Sequence, residues 1–124
     1  MADRRLRILI IEDEMLVAMN IEDMLADLGH EVAGLAGRLD AALALALEAE
    51  FDLAMLDVNL AGETSFPVAA ALIERGIPFL FATGYGIKGI SEEYRDRPVL
   101  QKPFRARDLD VALRQTLSER GGEP

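Results

Sequence analysis

Phe51–Gly62, FDLAMLDVNLAG, decides how this chain is read. An apolar run, Leu53-Ala54-Met55-Leu56, ends in one carboxylate, Asp57, and then breaks into a polar turn. A short apolar run between polar flanks is the pattern of a strand buried on both faces of a parallel sheet. Ligands of such sheets lie just past the carboxyl ends of the strands. Asp57 is thereby expected on a rigid element, where chemistry takes place. An aspartate that simply ends a strand and opens a turn fits the same residues, because Asp is a common turn former. The other strand ends choose between the two readings.

Outward from Asp57, apolar runs alternate with helical patterns. Strand one is expected over Arg7–Ile11 and ends in Glu12-Asp13-Glu14; helix one follows over Met15–Leu28. In that helix Val17, Ile21, Met24, Leu25 and Leu28 recur at helical spacing, and Gly29 stops it. Strand two, Glu31–Ala36, has a glycine inside and suits a sheet edge. Arg38–Glu50, dense in Ala and Leu, reads as helix two. After Asp57, the turn Ala61–Ser65 leads to a third helix with Pro67 in its first turn and Gly76 as its stop. Strand four is Pro78–Ala82, leading into Thr83-Gly84-Tyr85-Gly86. Ile87–Arg97 holds a short helix at most, with Ser91 as N-cap for Glu92–Tyr94. Strand five, Pro98–Gln101, leads into Lys102-Pro103-Phe104, and the last helix spans Arg107–Arg120. Such alternation predicts an α/β, doubly wound, five-stranded parallel sheet joined by right-handed crossovers.

Composition narrows the chemistry. The 124 residues suit one domain, with a core over about 5–120 and a flexible tail at 121–124. Without Cys and with a single His, neither thiolate nor multi-histidine metal sites are available. A net charge of −9 repels nucleic acid and anionic membranes. The apolar stretch near the start is too short for a secretory segment, and no run is long enough to span a bilayer, so a cytoplasmic location is the expectation.

If all five strands are parallel, one edge of the sheet gathers Glu12, Asp13, Asp57, Thr83 and Lys102. Singly, each has a plain reading: Glu12-Asp13 as a solvated helix N-terminus, Thr83 as a hydroxyl bonded to backbone, Lys102-Pro103 as a surface turn. Together those readings leave unexplained why successive strand ends carry complementary chemistry. Clustered carboxylates repel, and a hard divalent cation such as Mg²⁺, with Mn²⁺ as an allowed substitute, offsets that repulsion. Asp57 then suits the role of nucleophile toward a phosphoryl group. Lys102 supplies a point charge and Thr83 a hydroxyl to the phosphoryl oxygens.

Ile-Glu-Asp-Glu at 11–14, Leu-Asp-Val-Asn-Leu at 56–60, Ala-Thr-Gly at 82–84 and Lys-Pro-Phe at 102–104 together resemble the response-regulator receiver domains of two-component signalling. The resemblance spans nearly the whole chain. It implies a flavodoxin-like receiver fold with strand order 2-1-3-4-5, and phosphorylation of Asp57 by a histidine kinase or a histidine phosphotransfer protein. It further implies that Glu12, Asp13 and the backbone carbonyl of Asn59 help Asp57 hold Mg²⁺, and that Thr83 and Lys102 contact the phosphoryl group. Such a protein is a phosphoacceptor with self-phosphotransfer and slow self-dephosphorylation, not a turnover enzyme. Phe81-Ala82-Thr83-Gly84-Tyr85 is also similar to a branch of stand-alone receivers nicknamed FAT GUY, which implies an HWE-type kinase as partner.

Two features depart from the commoner receiver pattern. The switch aromatic expected three positions before the lysine is Val99, which has no ring to swing, and Tyr85 is the candidate substitute for it alongside Thr83. The Thr83–Lys102 interval is short and contains Gly84, Gly86 and Gly89, so a shortened or mobile fourth helix is expected, one that phosphorylation orders. With no effector domain expected after the last helix, output is expected to pass through Gly84–Arg97 and the strand-five/helix-five surface to a protein target. Met15, Leu16 and Met19 on helix one, with Pro103 and Phe104, are the expected docking patch for the phosphoryl donor.

Three other classes compete. A haloacid-dehalogenase-type enzyme needs a second Asp two residues after its nucleophile, where this chain has Asn59. A flavodoxin-like electron carrier needs a hydroxyl- and glycine-rich loop after strand one, where this chain has Glu-Asp-Glu. An inert interaction module requires an acidic pocket that binds no metal.

Overall fold

The computed structural model describes residues 5–84 and 86–121. Five strands, β1 (Arg7–Ile11), β2 (Glu31–Ala36), β3 (Leu53–Asp57), β4 (Phe79–Thr83) and β5 (Val99–Gln101), form one parallel sheet in the order β2-β1-β3-β4-β5. Four α-helices connect or follow them: α1 (Met15–Asp27), α2 (Leu39–Glu48), α3 (Phe66–Arg75) and α4 (Ala106–Gly121). This is the flavodoxin-like receiver fold that the alternation and the motifs imply.

The central strands are apolar on both faces because both faces are covered. In β1, Ile8 and Ile10 join Leu53, Met55 and Leu80 against Ile21 and Leu25 of α1 and Leu109, Ala112 and Leu113 of α4. Their sequence neighbours Leu9, Ile11, Ala54, Leu56, Phe79 and Phe81 point the other way, toward Ala42 and Ala46 of α2 and Val68, Ala69 and Leu72 of α3. A period of two along each strand thus divides one apolar run between two cores. β2 lies at the edge, as its internal glycine suggests, and carries an irregularity opposite Ile8 and Leu9.

The helix stops behave as read. Gly29 (φ 89°) and Gly76 (φ 71°) take left-handed backbone after α1 and α3, and Pro67 lies in the first turn of α3.

One region differs from the sequence reading. The turn after Asp57 is a miniature hairpin, with Asn59–Leu60 antiparallel to Glu63–Thr64 around Ala61-Gly62. Both loop residues have positive φ, 51° and 91°, the backbone of a type I′ turn. Ala-Gly lacks the Asn or Asp that usually announces such a turn.

Between β4 and β5 the fourth helix is shortened, as expected, to two 3₁₀ turns, Gly86–Gly89 and Glu92–Tyr94, the second at the residues where the sequence reading placed a short helix. Ser91 stands at the N-cap position but makes no side-chain cap bond. The connection is tied down by buried Ile90 and Tyr94. The Tyr94 ring packs 5.3 Å from Phe66 and 6.2 Å from Phe81, centroid to centroid. The last helix starts one residue earlier than expected and includes Gly121, so the proposed tail at 121–124 is helical at its first residue; 122–124 lie outside the described residues. Among the described residues no helix is long and apolar enough to cross a membrane.

Candidate functional site

Strand register levels the functional side chains. Ile11 pairs with both Leu56 and Ala36, Asp57 with Ala82, and Thr83 with Gln101. One step past these pairs the chain reaches Glu12-Asp13 on one side and Lys102 on the other. Two backbone bonds carry the register into the loops: Glu12 N–H to the Ala36 carbonyl at 2.9 Å, and Lys102 N–H to the Thr83 carbonyl at 2.8 Å.

Asp13, Asp57, Asn59, Thr83 and Lys102 line one cavity of about 620 Å³, together with Glu14, Val58, Gly62, Thr64, Gly84 and Gly89. Carboxylate oxygens of Glu12, Asp13 and Asp57 all lie within 4.8 Å of one another. The Lys102 ammonium donates to Glu12 Oε1 at 2.8 Å and lies 3.5 Å from Asp57 Oδ2. Glu12, 4% exposed, also accepts the Glu14 N–H on its other oxygen. Asp13 Oδ2 accepts the Ala61 N–H at 2.9 Å from across the hairpin.

This packing acts on protonation. Burial above all, then the negative charge of Glu12, push the Asp57 carboxyl up from 3.8 to about 7; the Lys102 charge opposes this, and hydrogen bonds with Asp13 and Glu12 add to the rise. For Lys102, burial alone would favour the neutral amine. Its bond to Glu12 and the charges of Asp57 and Glu12 outweigh burial and raise its pKa, so it stays cationic.

The donor set fits a hard divalent cation. Three carboxylates converge with only one ammonium between them, and every available ligand is oxygen. Asn59 can add its carbonyl. The Ser65 N–H donates to the Val58 carbonyl at 2.8 Å, so the ladder alternation leaves the Asn59–Thr64 pair without mutual hydrogen bonds and turns the Asn59 carbonyl off the hairpin. The Asn59 side chain folds back instead, its Oδ1 accepting the Gly62 N–H at 3.0 Å.

A second cleft, about 520 Å³ and mostly apolar, adjoins the first. Leu16, Val17, Met19 and Ile21 of α1 face Pro103 and Phe104 across it, with Asn20, Asp23 and Lys102 at its polar margin. Of the expected docking residues, Leu16, Met19, Pro103 and Phe104 meet here; Met15 is exposed at the start of α1 but does not line the cleft. Leu16 is 80% exposed and therefore contributes nothing to the core. Val99 lies in β5 opposite Phe81, packed on the α2–α3 core. Tyr85, the proposed substitute aromatic, lies outside the described residues. Sequence reasoning missed the hairpin, its hold on Asp13, and the anchoring by Tyr94. The hold on Asp13 and the seating of Tyr94 depend on residues far apart in sequence; the hairpin is local, and only the glycine after Ala61 signalled it.

Comparison with known proteins agrees with this geometry. Residues 8–114 match the response regulator receiver domain. The solution structure of SdrG from Sphingomonas melonis Fr1 superposes with a TM-score of 0.84 at 45% identity, covering 94% of this chain and 99% of that one. The phyllosphere-induced regulator PhyR of Methylorubrum extorquens is 33% identical over 94% of this chain and 45% of its own length. The transcriptional regulatory protein PdtaR of Mycobacterium tuberculosis is 32% identical over 90% of this chain and 57% of its own. The chain thus spans about half the length of the curated relatives it matches. Since the family match covers most of its length and includes the four strand ends that build the acidic cavity, the chain belongs to the response regulator receiver domains of two-component signalling.

Proposed function

We propose that this protein is a phosphoacceptor that takes a phosphoryl group on Asp57 from a phosphohistidine of a kinase, of the HWE type, or of a phosphotransfer protein. One Asp57 oxygen attacks phosphorus, the P–N bond of the donor breaks, and the departing imidazole keeps the electron pair and takes up a proton. Glu12, Asp13, Asp57 and the Asn59 carbonyl would hold Mg²⁺, or Mn²⁺ in its place. When bound, the ion neutralises carboxylate charge and that of the incoming phosphoryl oxygens. Lys102 moves its charge from Glu12 toward the phosphoryl group, and the Thr83 hydroxyl donates to it. Receiver-domain regulators are generally signalling proteins and not turnover enzymes, and the same is proposed here, in the cytoplasm, with residues 5–120 as the receiver core.

The observation that carries this reading is the convergence of three carboxylates within 4.8 Å beside a lysine that already bridges two of them. The donor is proposed to dock in the apolar cleft, because Lys102 lines both cavities and so joins docking to chemistry. Output is proposed to run through Gly84–Arg97 and the β5–α4 surface to a protein target. Incubation with acetyl phosphate and Mg²⁺, followed by intact-mass measurement, tests the core claim. One acid-labile phosphoryl group is expected, absent from Asp57→Ala. No mass gain, or a gain that survives this substitution, ends the reading.

A further inference from the structure

Asp13 carries an exposed side chain on a loop, yet the cavity needs its carboxylate in one place. Two features brace it. On one side, its Oδ2 accepts the Ala61 N–H at 2.9 Å from the hairpin. On the other side stands Gly37, the residue after β2. A Cβ built on Gly37 would lie 3.1 Å from the Glu12 carbonyl oxygen and 3.2 Å from Asp13 Cα. Both are backbone atoms, and the Glu12 N–H is already tied to the Ala36 carbonyl at 2.9 Å. Unlike the tip of a flexible side chain, this backbone can yield only by moving the acidic turn itself. Gly37 does not have left-handed backbone, so space and not φ calls for glycine here.

Resting on the cation-holding reading above, we propose that Gly37 is a positioning residue for that site: its missing Cβ lets the Glu12–Asp13 backbone close onto the end of β2 and so sets where the Asp13 carboxylate meets those of Glu12 and Asp57. Gly34 supplies an internal control. A Cβ there would meet Leu9 Cδ1 at 3.2 Å and Leu45 Cδ1 at 3.4 Å, side-chain tips of the core and not the acidic turn.

Calorimetric Mg²⁺ titration of the wild type, Gly37→Ala, Gly37→Val and Gly34→Ala, with metal-free melting curves and amide spectra, tests the proposal. Gly37→Ala should weaken Mg²⁺ binding about three- to tenfold, at or below the low end of outer-shell effects, and Gly37→Val should weaken it further. The metal-free melting temperature of Gly37→Ala should fall only modestly, since alanine's restriction of the unfolded chain offsets part of the strain of moving the acidic turn. Gly34→Ala should shift melting and leave Mg²⁺ affinity unchanged. The Asp13 and Ala61 amide signals of metal-free Gly37→Ala should move. Equal Mg²⁺ affinity of Gly37→Ala and the wild type, or amide signals that stay put, overturns the proposal. A wild type that binds no Mg²⁺ removes the cation reading itself, and the metal-free amide signals then still decide whether Gly37 sets the place of Asp13. Should Gly37→Val not fold, Gly37→Ala decides alone.

Discussion

Two clefts of similar size share Lys102 and differ in almost everything else. The first, about 620 Å³, is walled by carboxylates, two threonines and glycines at the ends of β1, β3 and β4 and on the hairpin. The second, about 520 Å³, is walled by Leu16, Val17, Met19 and Phe104 on α1 and the β5–α4 loop. In the first, burial and like charge lift Asp57 to about 7, an electrostatic cost that a cation relieves. In the second, Leu16 and Met19 stay exposed, a hydrophobic cost that the proposed docking of the donor would relieve. In the proposed reading, chemistry and recognition are separated by one side chain, Lys102, which lines both clefts.

The largest test of that division removes the reacting group. Asp57→Ala should abolish labelling by acetyl phosphate and by a phosphorylated donor alike, while donor binding measured by calorimetry persists. If binding disappears together with labelling, the clefts do not act separately.

The converse substitution is Leu16→Glu. It should slow transfer from a phosphorylated donor by roughly tenfold or more, as for a hot-spot residue, and leave acetyl phosphate labelling unchanged. Its effect on stability should stay within about 0.5 kcal/mol, because the side chain is a surface one. Equal transfer rates for Leu16→Glu and the wild type would place the donor elsewhere.

Next in size is the pH response of the metal-free protein. The folded pKa of Asp57, about 7, lies above its ordinary 3.8, so the folded state retains a proton that the unfolded chain has released. Stability from this group is complete below about pH 4 and is lost as pH rises through 7. Urea midpoints between pH 5 and 8 should fall by the equivalent of about 1–3 kcal/mol, less than the full displacement because water reaches the carboxylate. Asp57→Asn should flatten that slope, and saturating Mg²⁺ should reverse it by competing with the proton. A wild type and Asp57→Asn with parallel profiles would show that the carboxylates do not burden one another.

The smallest expected effect is a control on exposure alone. Leu47 on α2 is 56% exposed but lines neither cleft. Leu47→Glu should change donor transfer negligibly and stability by no more than about 0.5 kcal/mol. A slowing like that of Leu16→Glu would mean that any exposed leucine serves.

Much of this division was legible from residues. Apolar runs ending in Asp57, in Glu12-Asp13, before Thr83 and before Lys102 named the chemistry, because strand periodicity and strand-end placement are local properties of the chain. Leu16 and Met19 were likewise visible as apolar residues off the buried stripe of α1. The hold of Ala61 on Asp13, the close approach of Gly37 and the seating of Tyr94 against Phe66 and Phe81 were not.

Sequence by itself determined the parallel sheet, its edge strand, and which side chains meet at its carboxyl end, since buried strands and helix stops write their period and punctuation into neighbouring residues. Only the tertiary structure decided that the turn after Asp57 pairs with itself, that Asp13 is braced by Ala61 and Gly37, and that the β4–β5 connection is pinned by an aromatic cluster. The hairpin is local but lacks the Asn or Asp that would announce it; the braces on Asp13 and the aromatic cluster join residues distant in the chain, and no local pattern encodes such a close approach.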